Sequence, residues 1–516
     1  MNKNLFKTSS VPVATTVNEA GGNAYSFTDE HALAQYVVTG CFNGTFYASS
    51  EEQLDKIKTL ATGCSSEFLA KCAVYGHEVA SMKDTPAYLL AMLTARGENA
   101  LVSSIFNRVI TNSKMLCNYV QIIRSGVTGR KSFGTSIKNL IKGWLDAKTP
   151  DQLFNASIGR SAPSLADVIK MVHPTPKDIT YSNIYGYLLG KKFDVNLLPD
   201  RIRSLELFKR YESDNEVPNV DFRVLSNLKL SDENWKSIAK NMSWTTLRMN
   251  LNVLAKHNVF SDTEVTATLA EKLRDKDNVK RSGAFPYQLL TTFRNAHDVP
   301  SSISLALQDA MEIATNNIGK IGDGDISVCI DISGSMSSPV TGSGAAQTVS
   351  TCRDVASLIG CSVLRNNENA EIVPFHTSTV RTKLNPRDSV MTNSNIMARL
   401  PSGGTDCSAP IKSLNADKCM NKVVIMVSDN QSWCQYYGGG YSQATGMTVE
   451  WQKYKARVKN AKLVLIDLQP SGTTQVSDSN SVFNIGGFSD NIWPAIKKFV
   501  DGEKLTFTDV IQSVTI

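Results

Sequence analysis

Residues with oxygen-bearing side chains recur at three places that could form a site for a hard cation. Asp331, Ser333 and Ser335 alternate within residues 331–335, Gly403-Gly404-Thr405-Asp406 follows later, and Asp429 later still. Mg²⁺ binds about six oxygen ligands in octahedral geometry and keeps several waters, a need that carboxylates, hydroxyls and further loop ligands meet. The sequence therefore predicts a divalent metal site, with Mg²⁺ as the ion that fits it.

A second group of residues could bind a polyanion. Residues 99–145 contain seven basic residues and no aspartate or glutamate, whereas ordinary surfaces mix both signs. A glycine-rich basic turn spans residues 124–131, and Lys138 and Lys142 lie one helical turn apart, which suits contact with a phosphate backbone. Each residue taken singly could be a solvated position on a helix face. The seven are Arg108, Lys114, Arg124, Arg130, Lys131, Lys138 and Lys142.

The elements that carry the basic residues are predicted to be helices. From about residue 28 to residue 317, apolar residues recur at i, i+3, i+4 and i+7, as on amphipathic helices. Ser49-x-x-Glu52 and Ser261-x-x-Glu264 are typical of helix starts, and Gly126 and Pro174 of helix ends. About a dozen short helices in succession predict an α-helical repeat array and not a compact bundle.

The oxygen-bearing residues belong to a different kind of fold. The Gly- and Asp-rich segment 319–325 precedes a buried strand at residues 326–332. Further strands are predicted at 371–375, 423–428 and 463–468, alternating with helices near 346–364, 448–460 and 490–500. This alternation predicts an α/β doubly wound, Rossmann-like parallel sheet, whose ligand crevice lies at the carboxyl ends of the strands.

Composition limits the class of protein. The 516 residues are 42% hydrophobic and 20% charged, which is typical of folded globular proteins. The net charge is +6, and all of the excess lies in residues 1–322. We find no apolar run of the roughly 20 residues that a membrane span needs and no signal-peptide pattern, so we expect a cytoplasmic protein whose ten cysteines, Cys41 among them, are thiols.

The oxygen-bearing motif resembles a known one. D-x-S-x-S with a later Thr and a later Asp is similar to the metal-ion-dependent adhesion site of von Willebrand factor A domains, which implies Asp331, Ser333, Ser335, Thr405 and Asp429 as the metal ligands. The whole chain then resembles the Ro autoantigen family, in which a TROVE module precedes such a domain, and we expect a bacterial or phage relative. The phrases that carry this likeness are residues 36–48, 83–87, 167–174, 242–245, 251–252, 284–287, 403–408, 427–430 and 486–489.

The resemblance implies an organisation and a function. It implies an N-terminal segment (1–27), a HEAT-like TROVE ring with a basic hole (28–321) and a von Willebrand factor A-like domain (322–516). It further implies that small structured noncoding Y-like RNA binds the outer surface, that single-stranded 3′ ends of misfolded RNAs enter the hole, and that an exoribonuclease is a partner in RNA quality control. His173 lies where the family carries a histidine beside its RNA-binding surface, and Lys170 lies one turn earlier.

Two other functions compete with RNA binding. The first is a protein-interaction scaffold that uses the metal site to bind an acidic partner. The second is an enzyme, which we do not expect, because the chain lacks a P-loop, an H-E-x-x-H pair and a G-x-S-x-G elbow. A two-metal nuclease would need clustered carboxylates, and hydroxyls dominate here. We also expect a monomer, because a ring made within one chain needs no symmetry partner.

Overall fold

The computed structural model describes residues 11–39, 48–159, 161–210, 216–315, 318–323, 325–340, 350–434, 444–487 and 490–516. Cys41, most of the family-like phrase at 36–48 and residues 488–489 therefore lie outside the described residues. The chain folds into two compact units: residues 1–68, 285–291 and 315–515 form the first unit, and residues 69–284 with 292–314 form most of the second.

The chain begins with a hairpin and two helices, continues as a long run of helices, and ends as alternating strands and helices. The first part holds β1 (Thr16–Val17), β2 (Asn23–Ser26), α1 (Asp29–Thr39) and α2 (Ser50–Gly63). The helical run comprises α3 (Ser66–Glu78), α4 (Asp84–Arg96), α5 (Asn99–Val109), α6 (Ser113–Ser125), α7 (Thr135–Asp146), α8 (Pro150–Ser157), α9 (Leu165–Val172), α10 (Ile179–Leu188), α11 (Asp200–Arg210), α12 (Phe222–Leu225), α13 (Asp232–Asn241), α14 (Trp244–Met249), α15 (Leu251–Lys256), α16 (Thr263–Arg274), α17 (Lys276–Ser282), α18 (Pro286–Asn295) and α19 (Ser301–Thr315).

The last part supplies the larger sheet. Its elements are β3 (Ile326–Asp331), α20 (Cys352–Asn366), β4 (Glu371–Phe375), α21 (Val390–Ala398), α22 (Ser408–Ala416), β5 (Val423–Ser428), α23 (Gly446–Arg457), β6 (Lys462–Asp467), β7 (Thr473–Thr474), β8 (Val482–Gly486), α24 (Trp493–Val500) and α25 (Phe507–Gln512). A helical part followed by an α/β domain confirms the predicted fold class, while closure into a ring stays a prediction. None of the helices in the described ranges is long and apolar enough to cross a membrane.

The helices form where the apolar spacing predicts them. The apolar residues that recur at i, i+3, i+4 and i+7 from Leu116 in α6 and from Leu165 in α9 are all buried, and in α7 Ile137, Ile141 and Trp144 are buried. Gly126 ends α6 with φ 79°, a left-handed conformation that glycine adopts without strain. The predicted capping box at Ser49 forms, but the one at Ser261 is wrong, because the Asp262 side chain accepts the N–H groups that open α16.

The larger sheet brings the candidate metal-binding loops to one edge. Its five strands are all parallel, in the order β4-β3-β5-β6-β8. Strands β3, β5 and β8 are buried at every position, as expected when helices cover both faces. Because the strands are parallel, the residues that follow β3 and β5 meet at the same edge of the sheet. Residues 331–335 and Asp429 therefore lie close together, as the predicted doubly wound fold requires.

The N-terminal segment packs in the same unit as this sheet. Tyr25 pairs with Thr474 in an antiparallel ladder between β2 and β7, and the Asn18 side-chain amide donates to the Ser432 carbonyl over 2.8 Å. Helices α1 and α2 belong to this unit as well. The predicted domain boundaries at residues 28 and 322 stay a prediction. In the packing of the chain, however, the N-terminal residues belong to the same compact unit as the C-terminal sheet.

We expect Gly22→Ala to loosen this packing. A Cβ atom at position 22 would lie 1.9 Å from the Ser432 carbonyl oxygen, which is backbone and cannot rotate away. The midpoint of thermal unfolding should fall, with a loss of about 1–3 kcal/mol in the free energy of unfolding. The matched control is Gly143→Ala in α7, where no atom lies within 4 Å and better helix propensity should raise stability slightly. Equal stability of the two variants would contradict the packing argument.

Candidate metal centre and basic surface

The five predicted metal ligands lie together at the carboxyl edge of the parallel sheet. Asp331 is the last residue of β3, Ser333 and Ser335 lie in the loop that follows, and Asp429 comes directly after β5. Thr405 lies in the loop before α22. All five side chains are buried, with at most 4% of any residue exposed. The structure thus assembles the oxygen atoms that the sequence pattern predicts, whereas metal binding itself stays a prediction.

Asp331 is fixed from both sides. Its Oδ1 accepts the Ser333 backbone N–H over 2.8 Å, and its Oδ2 accepts the Ser428 hydroxyl over 2.6 Å. Burial raises the pKa of Asp331 above its usual range, although these hydrogen bonds oppose that rise. The Ser333 and Ser335 hydroxyl oxygens are 3.3 Å apart, so both face the same small space.

Asp429 is the group most in need of a cation. Its Oδ1 accepts the Gln431 N–H over 3.2 Å, but its Oδ2 is buried and has no hydrogen-bond partner among the described residues. Burial, and next the charge of Asp331, raises the pKa of Asp429 to about 7. An unpaired buried carboxylate is costly unless a cation or a proton neutralises it.

Backbone hydrogen bonds hold the three loops in register. The Gly334 N–H donates to the Gly403 carbonyl over 2.9 Å. The Thr405 carbonyl accepts the N–H groups of Trp433 and Cys434, each over 3.1 Å. These bonds fix the spacing of the predicted ligands before any ion binds, which lowers the conformational cost of binding.

The donor set fits a hard cation held by few carboxylates. Two carboxylates and three hydroxyls, all oxygen, suit Mg²⁺ with retained waters, and the unpartnered Asp429 Oδ2 supplies an open position. Within the described residues, no three His, Cys, Asp or Glu side chains converge on one metal position. A site here would therefore depend on the hydroxyls of Ser333, Ser335 and Thr405, as the motif implies.

Sequence reasoning missed two residues at this edge. Ser428 and Asp467 end the neighbouring strands β5 and β6 and are paired in register. Ser428 bonds to Asp331, and Asp467 places a third buried carboxylate next to the site. The sequence does show Asp467 at the end of a predicted strand, which would have made it a candidate for this edge. It does not show that β6 lies beside β5, which only the strand pairing reveals.

Four of the predicted RNA-binding residues lie on three neighbouring helices of the second unit. Arg124 is in the last turn of α6, Lys138 and Lys142 are on α7, and Lys170 is in the last turn of α9. Helix α9 packs against both α6 and α7. Arg124 and Lys170 both lie close enough to Asp167 to lower its pKa, after its hydrogen bonds with Ser164.

Two of the seven basic residues are engaged within the protein. Arg108 forms a two-pronged ion pair with Glu78, at 2.7 and 2.8 Å, so a residue outside the acid-free segment neutralises it. Arg130 is half-buried and donates to the carbonyls of Thr94 and Ser132, both over 3.1 Å. Arg130 therefore braces the turn after α6, which weakens its case as a direct RNA ligand.

The other predicted RNA-binding side chains face solvent or lie half-buried. Lys131, Lys138 and Lys142 form no ion pair within the described part of the chain, and Lys170 forms only a long one with Asp167, at 3.9 Å. His173 is exposed and caps α9 with φ 49°, so its left-handed backbone turns the chain away from the helix. The RNA-binding roles of these residues stay predictions.

A cavity near the start of α6 and α9 adds to the positive surface. It has a volume of about 540 Å³ and is lined by Lys114, Lys148 and Arg223, with no aspartate or glutamate among its described lining residues. Lys148 stacks over the Trp144 ring at 4.8 Å, and Arg223 pairs with Asp221 at 2.9 Å. The charges of Lys114 and Lys148 thus add to the positive potential of the cavity.

Comparison with known proteins supports the predicted resemblance. The sequence pattern of the Ro60 von Willebrand factor A domain matches residues 326–500. The predicted resemblance to the Ro family is confirmed. The RNA-binding protein RO60 of Deinococcus radiodurans is 21% identical over 471 residues, which cover 81% of this chain and 83% of that protein. The crystal structure of the Ro protein of the same organism superposes with a TM-score of 0.62 at 20% identity, covering 92% of this chain and all of that one. That structural likeness shows the fold.

Binding of Mg²⁺ should be pH-dependent. The pKa of Asp429 in the metal-free protein is about 7, above its value in the unfolded chain, so Asp429 holds a proton below neutral pH. Mg²⁺ must displace that proton, so its affinity should fall by up to about tenfold per pH unit below about 7. Without metal, the stability due to this protonated group is fully present below about pH 4 and is lost as the pH rises through about 7.

Calorimetric titration with Mg²⁺ between about pH 5.5 and about pH 8 measures this dependence. Thr405→Val, which removes one hydroxyl ligand at similar size, should weaken binding at every pH. An affinity that is the same at both ends of this range would contradict the displacement of a proton from Asp429.

Proposed function

We propose that this chain is an RNA-binding protein that acts without catalysing a reaction. The observation that carries the proposal is the set of cations on α7 and in the turn before it, Lys131, Lys138 and Lys142, which have no carboxylate partner in the described part of the chain. A relative with RNA binding in its name, of similar length, supports the same function.

The geometry favours phosphate contact over a buried ligand. Lysine ammonium groups on adjacent helical turns meet successive phosphates of a backbone without reading its sequence. The Lys131 side chain lies over Gly126, where a Cβ would come within 2.5 Å of its Cε, so its stem is supported near the surface. Contacts of this kind need no catalytic group.

The finer proposal concerns which RNAs bind. We infer that small structured, Y-like noncoding RNA binds the outer helical surface, with Lys170 and His173 among its contacts. Single-stranded 3′ ends of misfolded RNAs would enter a basic hole, and an exoribonuclease partner would degrade them in RNA quality control. The cavity lined by Lys114 and Lys148 adds a second positive surface on the same helices. We further propose that the protein acts as a cytoplasmic monomer.

A second candidate function is a metal-dependent protein interaction. Trp433 favours it: this residue is 52% exposed, its backbone N–H donates to the Thr405 carbonyl, and its ring lies over Gly404. A partner that offers a carboxylate to a bound Mg²⁺ could cover the Trp433 ring at the same time. In this case the helices would act only as a spacer.

Removing the unpaired lysines should reduce the salt dependence of RNA binding. Each phosphate contact to a single strand contributes about −0.7 to the slope of log affinity against log salt, so Lys131, Lys138 and Lys142→Gln together should flatten the slope by about 2. The matched control replaces Lys191, Lys192 and Lys229, which are exposed on the same unit, with Gln. A slope that changes equally in both triple variants would exclude a specific role for the first three.

Binding of RNA ends should require a single-stranded tail but no metal. One structured RNA with and without a 3′ tail is compared by mobility shift, in Mg²⁺ and in EDTA. Tighter binding of the tailed RNA in both buffers is expected, because lysine contacts to phosphate need no divalent ion. Equal binding of both RNAs would indicate outer-surface recognition alone. Loss of all binding in EDTA would instead indicate that the metal organises the RNA site.

A further inference from the structure

Buried oxygen atoms without hydrogen-bond partners among the described residues gather where β5 and β6 end. Asp429 Oδ2 and Asp467 Oδ2 are two of them, and both residues are at most 1% exposed. The amide oxygens of Gln469 and Gln475 are two more, each in a residue at most 7% exposed. A buried acceptor without a donor costs about 1–3 kcal/mol, and more when it is charged.

Strand pairing and hydrogen bonds place the four residues that carry these oxygens in one neighbourhood. Asp467 is paired in register with Ser428, directly before Asp429. The Gln469 N–H donates to Asp467 Oδ1 over 2.9 Å, and the Gln475 side-chain amide donates to the Asn430 carbonyl over 3.2 Å. In each of Asp467, Gln469 and Gln475, therefore, one group is already bonded and an oxygen is left over.

The negative charge at this edge lacks a positive partner in the described part of the chain. Neither Asp467 nor Asp429 forms an ion pair with a described residue, and the nearby carboxylates of Asp429 and Glu19 raise the pKa of Asp467 further after burial has raised it. The Asn430 side chain opposes that rise only in part. The guanidinium of Arg353 lies near Asp331 but donates to the carbonyls of Met397 and Leu400. Water could donate to the free oxygens, but it would not neutralise two carboxylates.

We propose that Asp467 binds a second cation, distinct from the one predicted at Ser333, Ser335 and Thr405. Asp429 faces both ions through its two carboxylate oxygens and its position between β3 and β6. The amide oxygens of Gln469 and Gln475 are neutral ligands of the second ion. Oxygen ligands that combine carboxylates with amide carbonyls are typical of Ca²⁺, which accepts about six to eight oxygens in flexible geometry, whereas Mg²⁺ keeps more of its waters.

The test is the number of ions bound to the full-length chain. Protein stripped with EDTA and dialysed is titrated with Ca²⁺ and with Mg²⁺ by calorimetry, and bound metal is counted by elemental analysis. Two Ca²⁺ per chain are expected in the wild type. Asp467→Asn, which keeps the size of the side chain, should leave one. Ser335→Ala with Thr405→Val should also leave one, and that ion should depend on Asp467. Asp501→Asn, an exposed carboxylate of the same unit, is the control and should leave two.

The outcomes separate this inference from the proposed metal site, on which it rests only in sharing Asp429. One ion that persists in Asp467→Asn and is lost with the hydroxyl ligands overturns the inference and keeps the predicted site. One ion that is lost in Asp467→Asn and persists without the hydroxyls supports the inference and overturns the predicted site. A single ion lost in both variants overturns it, since Asp467 then serves the first ion, and no ion in the wild type overturns both. The number of ions bound to the wild-type protein tests the inference even if a variant fails to fold.

Discussion

Three carboxyl groups are buried together at one edge of the parallel sheet, with almost no exposure to bulk solvent. Asp331, Asp429 and Asp467 are all fully buried or nearly so, and burial is the first cause of the raised pKa in each. Within the described residues none of the three forms an ion pair, and Arg353, which lies near Asp331, donates to the backbone carbonyls of Met397 and Leu400 instead. The edge is therefore stable only with protons or cations, and this requirement links the fold of the domain to its chemistry.

The requirement also explains why the start of the chain belongs with the C-terminal domain. The loop after β5 must be held so that Asp429 stays buried, and part of what holds it comes from the first residues of the chain. Asn18 donates to the Ser432 carbonyl, and the Ala20 N–H donates to the Gln431 side chain over 3.3 Å. The Gln475 side chain joins Asn430 to the Asn23 carbonyl. A fragment that begins at residue 322 would lack these contacts, so it would contain the motif without the support of its loop.

The two units contain arrangements suited to ligands of opposite charge. In the first unit, backbone and hydroxyl groups surround buried carboxylates, an arrangement suited to a small cation. In the second unit, solvent-accessible lysines lie on α7 and around the cavity between α6 and α9, an arrangement suited to an extended polyanion. A buried site of fixed geometry selects by size and coordination, whereas a solvated surface selects by charge density and depends on salt. The proposed metal site and the proposed RNA surface should therefore respond to different changes in solution conditions.

Features that depend on local sequence patterns were predicted correctly more often than features that depend on long-range contacts. The apolar period predicted the faces of α6 and α9, and the D-x-S-x-S spacing identified the loop after β3, because both depend on residues within one or two turns of each other. The capping box at Ser261 failed because Asp262, one residue later, competes for the same N–H groups. Arg130 looked like a free cation because its acceptor, the Thr94 carbonyl, lies 36 residues away. Asp467 had no motif around it, and only the pairing of β6 with β5 shows it to be a neighbour of Asp429. The role of a charged residue depends on the partner that the fold brings next to it. Sequence spacing identifies that partner only when both residues lie in the same helix, strand or loop.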